Sequence, residues 1–372
     1  MVYQMLSDLL YKVPILIIRG NRGELMGYFK FKAQTLFPAY FAIVMTSGAL
    51  SIGTYLLGMV VIAKILLVVN IVAYVTLWLL TFTRITFYFP DLLTDITSHE
   101  KGPGFFTLIA GTCVFGSQII TVTGNVPIAL GLWILGIILW IIIMYTFFTS
   151  VTIRAIKPNL AEGINGAWLI AAVATQSLSI LGTLLSPYIV IGHDIVLFFT
   201  LCMYFLGCML YLNIITLIFY RFTFLKLEFS ALTPPYWINM GAVAITTLAG
   251  STLILHAEQL SLLIEITPFL KGFTLFFWIT GTWWIPLLFI LMIWRHVVHR
   301  FPLTYEPQLW AMAFPLAMYT TGTFQLSKAL QLPFLSVITY VMVCIAGLVW
   351  LLTFLGLLHH LYRDIKKYRL SH

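Results

Sequence analysis

The side chains best suited to chemistry in this chain are hydroxyls, one amide and one phenyl ring, and they fall in a fivefold repeat. Phe41, Phe106, Trp168, Trp237 and Trp310 each open a long apolar stretch. The residue four positions on, one turn up the same helical face, is Met45, Ala110, Ala172, Gly241 or Phe314. Four of these are slim or flexible and one is a large ring, which is what a passage between five helices, closed by a single side chain, requires. Polar groups run through the middles of the same stretches: Ser47, Thr112, Ser117, Thr175, Gln176, Thr246 and Thr320. Such groups can donate hydrogen bonds to an anion that has shed its water, whereas a fixed Lys or Arg at mid-span would hold the anion too well to release it. Pro315, beside the ring, is expected to kink its helix and free a backbone amide. The predicted chemistry is dehydration and passage of an anion.

Other chemistries fit poorly. His296 and His299 have the spacing of two metal ligands, but no third ligand lies nearby and Arg300 adjoins them, so a solvated helix end is expected. His359 and His360 point to different helical faces. No nucleophile motif or Gly-rich phosphate loop is present, and the expectation is no enzyme, no metal and no cofactor. Cys113, Cys202, Cys208 and Cys344 lie within apolar stretches and read as small apolar residues. All 12 Asp and Glu residues lie in loops or near the ends of apolar stretches. A mid-membrane carboxylate, costing about 2.5 to 3.5 kcal/mol to insert, is the usual mark of a proton or sodium pathway. Without one, passive movement driven by the membrane potential is expected.

The elements that must position these residues follow from composition. With 61% hydrophobic and 9% charged residues, a 372-residue chain is no soluble globular protein. Ten spans are expected, at Leu36–Leu57, Met59–Phe89, Phe105–Val122, Val126–Ile153, Ala167–Ile189, Ile195–Phe224, Tyr236–Ala257, Leu262–Trp294, Leu309–Leu330 and Leu332–Leu361. Even-numbered spans are aliphatic nearly all round and suit lipid, while odd-numbered spans carry the small and hydroxyl residues and belong inside. The fold class is therefore all-α: five helical hairpins, with an inner ring of five helices around a pore and an outer ring of five. For any single small residue, close helix packing is the plainer explanation.

Seventeen of the 20 Lys and Arg residues precede the first span, flank alternate connections or lie in the tail, leaving Lys64, Lys271 and Lys328 on the other side. The positive-inside rule places both termini in the cytoplasm of a cell-membrane protein, and those three lysines are expected to snorkel to the headgroups. The net charge of +8 thus reports topology and no nucleic-acid partner. Residues 1–35 are expected to form a cytoplasmic segment with an interfacial helix about Val13–Ile18, anchored by Tyr3, Tyr11, Lys12 and Tyr28 and lacking the pattern of a signal peptide. Residues 36–361 form the pore domain and 362–372 a basic cytoplasmic tail.

The segments Leu232-Thr-Pro-Pro-Tyr-Trp-Ile-Asn-Met-Gly-Ala, Trp310-Ala-Met-Ala-Phe-Pro-Leu and Phe37-Pro-Ala-Tyr-Phe are similar to the tellurite-resistance and C4-dicarboxylate transporter family. So are Glu162-Gly-Ile-Asn-Gly-Ala-Trp and Phe273-Thr-Leu-Phe-Phe-Trp, and the resemblance runs from about Leu36 to Leu361. That family, part of the voltage-dependent anion channel superfamily, includes the slow anion channels of plant guard cells and fungal malate permeases. The resemblance implies a homotrimer of independent pores for small anions or dicarboxylates in a lipid bilayer, each obstructed by a phenylalanine of the ninth helix. The matching residue is Phe314, in its Phe-Pro context. The family's inner helices are typically kinked by proline, but here only Pro315 lies well inside one, so bending elsewhere is expected at Gly48, Gly111, Gly182 and Gly241. The alternative is an alternating-access carrier for C4-dicarboxylates or tellurite with proton coupling.

Overall fold

The computed structural model describes residues 22–370, and the segment expected as an interfacial helix about Val13–Ile18 lies outside them. Ten long helices follow one another: α1 Ala42–Leu56, α2 Val60–Phe87, α3 Phe106–Thr123, α4 Val126–Ile153, α5 Ile170–Leu185, α6 His193–Phe224, α7 Ile238–Leu255, α8 Ser261–Ile293, α9 Trp310–Ala329 and α10 Leu335–Leu370. Before α1 lies the helix Arg22–Gln34, which carries Tyr28. Among the described residues nine helices are long and apolar enough to cross a membrane. Helix α9 has the length, but the run Tyr319-Thr-Thr-Gly-Thr with Gln325 and Lys328 makes it less apolar than the others. Such a helix is stable at membrane depth only when sheltered by protein.

Local sequence sets where each helix starts. Every odd helix is preceded by a 3-10 turn: Pro38–Phe41, Gly102–Phe105, Gly166–Leu169, Pro234–Trp237 and Pro307–Leu309. Proline or glycine opens each of these turns, and proline suits a first turn because its missing N–H needs no partner there. The tight turn between α3 and α4 ends one helix with Gly124 at φ 70° and starts the next with Asn125, whose side chain accepts from the Ile128 amide at 3.1 Å.

The odd helices close on one another. Helix α1 packs on α3, α3 on α5, α5 on α7, α7 on α9, and α9 back on α1, while each even helix packs on the odd helix of its own hairpin. Burial separates the two sets: the segments containing α3, α5 and α7 are 94% buried, against 22% to 44% for the even helices. The five 3-10 turns touch in the same cyclic order and form a collar. Glycine permits that approach, since a Cβ on Gly166 would lie 2.2 Å from the Pro235 carbonyl oxygen and one on Gly104 3.0 Å from Pro38 Cβ. Gly48, Gly111, Gly182 and Gly241, expected as bends, are likewise sites where a Cβ would press on a neighbouring element.

Three arginines fasten the collar from outside. Arg84 of α2 donates to the Leu36 carbonyl, Arg221 of α6 to that of Ile164, and Arg295, just beyond α8, to that of Leu232. Each acceptor stands two residues before a 3-10 turn. Gly166→Ala is expected to cost roughly 1–3 kcal/mol by overpacking the collar, read as a lowered thermal midpoint of the detergent-solubilised protein. Gly131→Ala, on open α4 surface, should leave the midpoint unchanged or higher.

Candidate anion pathway

The closed inner ring leaves two cavities along its interior. The collar-side one, about 200 Å³, has Glu100, Lys101, Asn165 and Gln308 near its mouth and Met45, Val173 and Phe314 deeper. The other, about 180 Å³, is walled by Val114, Ser117, Ser177, Leu248 and Met318, with Thr121, Thr252 and Gln325 further on. On each inner helix the wall residues recur at helical spacing, as in Ile170, Val173, Ser177, Ile180 and Leu184 of α5, so one stripe per helix faces inward. Phe314 bounds the first cavity and Met318 the second, so on α9 the two are one turn apart. Phe314 is only 1% exposed.

Of the five residues four places after the aromatics, Met45 and Phe314 share the collar-side cavity. Ala110 is buried on the inner ring. In α5 the wall residue is Val173, not Ala172. The one-residue slip has a local cause: Trp168 stands third in its 3-10 turn, whereas Phe41 stands fourth. Gly241 faces Pro315, whose Cγ would lie 2.7 Å from an added Cβ, so this glycine seats the proline ring.

The expected hydroxyl lining is largely corrected. Ser47 accepts from Trp350 Nε1 at 2.9 Å, Thr112 from the Tyr74 hydroxyl at 3.2 Å, and Thr175 from Trp140 Nε1 at 2.9 Å. Gln176 donates to the Tyr204 carbonyl at 3.0 Å. All four turn toward the outer helices. Thr246 and Thr320 donate to carbonyls of their own helices, Ala242 and Leu316, and only Ser117 of the seven lines a cavity. The reason is the bilayer: a Trp or Tyr head on a lipid-facing helix finds no water and takes its partner from the inner ring. The remaining outer helices follow suit, Tyr211 of α6 donating to the Asn239 carbonyl of α7 at 3.3 Å and Trp278 of α8 to Thr323 of α9 at 3.0 Å. Each outer helix thus grips the inner helix of the next hairpin, and α10 closes the circle on α1.

Thr107, Thr121, Ser177, Thr252, Met318 and Gln325 line the cavities unforeseen. Stepping by three and four residues from Phe314 would have found Met318 and Gln325. At the mouth, Lys101 pairs with Asp95 at 3.0 Å, and Asp95 also receives Arg84 at 2.5 Å. Burial, with Arg154 and Lys157 nearby, holds the His99 imidazole below its ordinary value, so it stays uncharged at neutral pH. Among the described residues no Asp or Glu is buried.

A ring of five membrane helices enclosing axial cavities is the architecture of a membrane transport protein. The sequence profile of the voltage-dependent anion channel family matches residues 35–358, and the chain belongs to that family. It is 41% identical over 152 residues to an uncharacterized membrane protein of Mycobacterium tuberculosis, covering 41% of this chain and 77% of that one. It is also 25% identical over 335 residues to an uncharacterized transporter of Methanocaldococcus jannaschii, covering 85% of this chain and 89% of that one. A second uncharacterized transporter of M. jannaschii is 24% identical over 326 residues, covering 85% and 90%.

Removing a hydroxyl that faces the outer ring should weaken the fold without altering selectivity. Ser47→Ala leaves the Trp350 N–H buried and unpaired, at roughly 1–3 kcal/mol, which a thermal melt will register while relative anion permeabilities stay at wild-type values. Ser117→Val, on the cavity wall, should change permeability with little effect on the melt.

Proposed function

We propose that this protein is a passive channel for small anions, held shut by Phe314 with Met45 beside it. The observation that carries this reading is the pair of axial cavities that come within one helical turn of each other at Phe314 and Met318. An anion in either cavity meets hydroxyls, amides and apolar walls, and Lys101 at the cytoplasmic mouth is the cation that draws it in. Rotation of one benzyl group joins the two spaces, a rotamer change that needs no helix movement. Pro315, seated on Gly241, fixes the backbone beneath that ring. The scarcity of buried carboxylates supports potential-driven flow over proton-coupled carriage of C4-dicarboxylates or tellurite.

The reading extends to the assembly and its setting: a homotrimer in the cell membrane, each subunit with its own pore, both termini in the cytoplasm. The asymmetry of basic residues supports that orientation, and the likeness to the wider family supports the trimer. Residues 36–361 act as the pore domain, flanked by cytoplasmic segments.

Purified protein in planar bilayers or liposomes tests the proposal. Phe314→Ala should raise chloride or nitrate current at least tenfold and Phe314→Trp should lower it, with reversal potentials following the anion gradient and no response to an imposed pH gradient. Saturable uptake that requires a pH gradient and carries no single-channel current would instead establish the carrier. Unchanged current in a well-folded Phe314→Ala protein would remove the gate.

A further inference from the structure

The three arginines that fasten the collar are not neutralised alike. Arg84 has the carboxylate of Asp95, and Arg221 is shared between the Ile164 carbonyl and the Tyr236 hydroxyl. Arg295 is 6% exposed, donates to the Leu232 carbonyl and lies 4.2 Å from the Phe301 ring centre. Among the described residues no carboxylate pairs with it directly, Glu306 acting only at longer range, and its buried Nε, like those of Arg84 and Arg221, has no hydrogen-bond partner. A buried guanidinium with no directly paired counter-charge destabilises a fold, and neither a carbonyl dipole nor a ring face supplies a full negative charge.

Beside Arg295 lies a cavity of about 40 Å³, bounded by Arg295, His296, Thr233, Trp237, Leu303 and Met312. Thr233 also lines the collar-side cavity, so this space adjoins the axial pathway at that residue. One water-sized probe occupies roughly 10–15 Å³, so the space admits a monatomic anion with a water or two and excludes a dicarboxylate. His296 donates from Nδ1 to the Phe301 carbonyl at 2.8 Å, which fixes its ring at the cavity edge. The far wall is Met312, two residues before Phe314 on α9.

We propose that Arg295 anchors an accessory halide site in this cavity, distinct from the conducting pathway, which neutralises the buried guanidinium and braces the start of α9. The phosphate of an anionic lipid offers the same charge from the membrane side. The halide is favoured by the cavity's size and by its adjoining, at Thr233, a space through which small anions are proposed to move. In that last respect alone the inference leans on the channel reading.

Thermal melts of delipidated protein, with chloride titrated against gluconate at constant ionic strength, test the site. Wild type should gain roughly 1–3 °C as chloride replaces gluconate, and Arg295→Gln should lose that gain. Crystals of the wild-type protein soaked in bromide should show an anomalous peak against the Arg295 guanidinium, a result independent of how well any variant folds. An equal gain in the Arg295→Gln protein would overturn the proposal, as would bromide ordered elsewhere but absent beside Arg295. Stabilisation by phosphatidylglycerol that ignores chloride would assign the cavity to a lipid phosphate and overturn the halide. Melt and map read binding and not flux, so the site can fail while the channel stands, and the reverse.

Discussion

Everything in this fold answers to the absence of water around the outer helices. Tyr74, Trp140, Tyr211, Trp278 and Trp350 each carry an N–H or O–H into a region where only protein can accept it, and each delivers it to the neighbouring hairpin's inner helix. The five contacts run in one rotational sense, so the outer ring is a closed belt of hydrogen bonds. An unpaired polar group in hydrocarbon costs several kcal/mol, which makes the belt a strong determinant of which way each inner helix is turned. Once the outward face is fixed, the inward stripe of apolar residues, Ser117, Ser177, Thr252 and Phe314 is fixed as well.

The collar end obeys a second, electrostatic logic. The collar of 3-10 turns brings backbones so close that glycine is needed at Gly104 and Gly166. Buried Arg84, Arg221 and Arg295 donate to the carbonyls entering those turns, so positive charge sits around the mouth but not on the axis. In the proposed channel an anion approaching the collar-side cavity would feel attraction without meeting a tight binding site, the compromise that rapid conduction needs. Lys101, half-exposed and tethered to Asp95, is the solvent-facing member of that field.

Much of this was legible in the sequence. Length and hydropathy place ten helices, most boundaries within a few residues, although α1 starts six residues after the expected Leu36 and α10 runs nine residues past the expected Leu361, and the uneven distribution of small and polar residues sorts inner from outer. The repeat led to Phe314, which lies at the inner end of a cavity. What composition could not convey was direction. Ser47 and Thr175 belong to a polar band in the middle of an inner helix, yet a band does not say which side of the cylinder a hydroxyl occupies, and a partner such as Trp350, 303 positions away in sequence, decides it. The α5 register slipped because a 3-10 turn and an α-helix advance by different angles per residue, and Trp168 stands one place earlier in its turn than Phe41. The glycines expected as bends are points of close approach, and close approach is a property of pairs of elements that a single stretch does not reveal.

The thinness of the barrier at Phe314 has an electrical consequence. In the proposed channel, water entering from both faces would carry the bulk dielectric to either side of α9's single intervening turn, so the transmembrane voltage would fall across roughly 6 Å instead of the full hydrocarbon width of about 30 Å. At about 2.3 kcal/mol per elementary charge for 100 mV, nearly all of the electrical work on a permeating ion is then done at the phenyl ring itself.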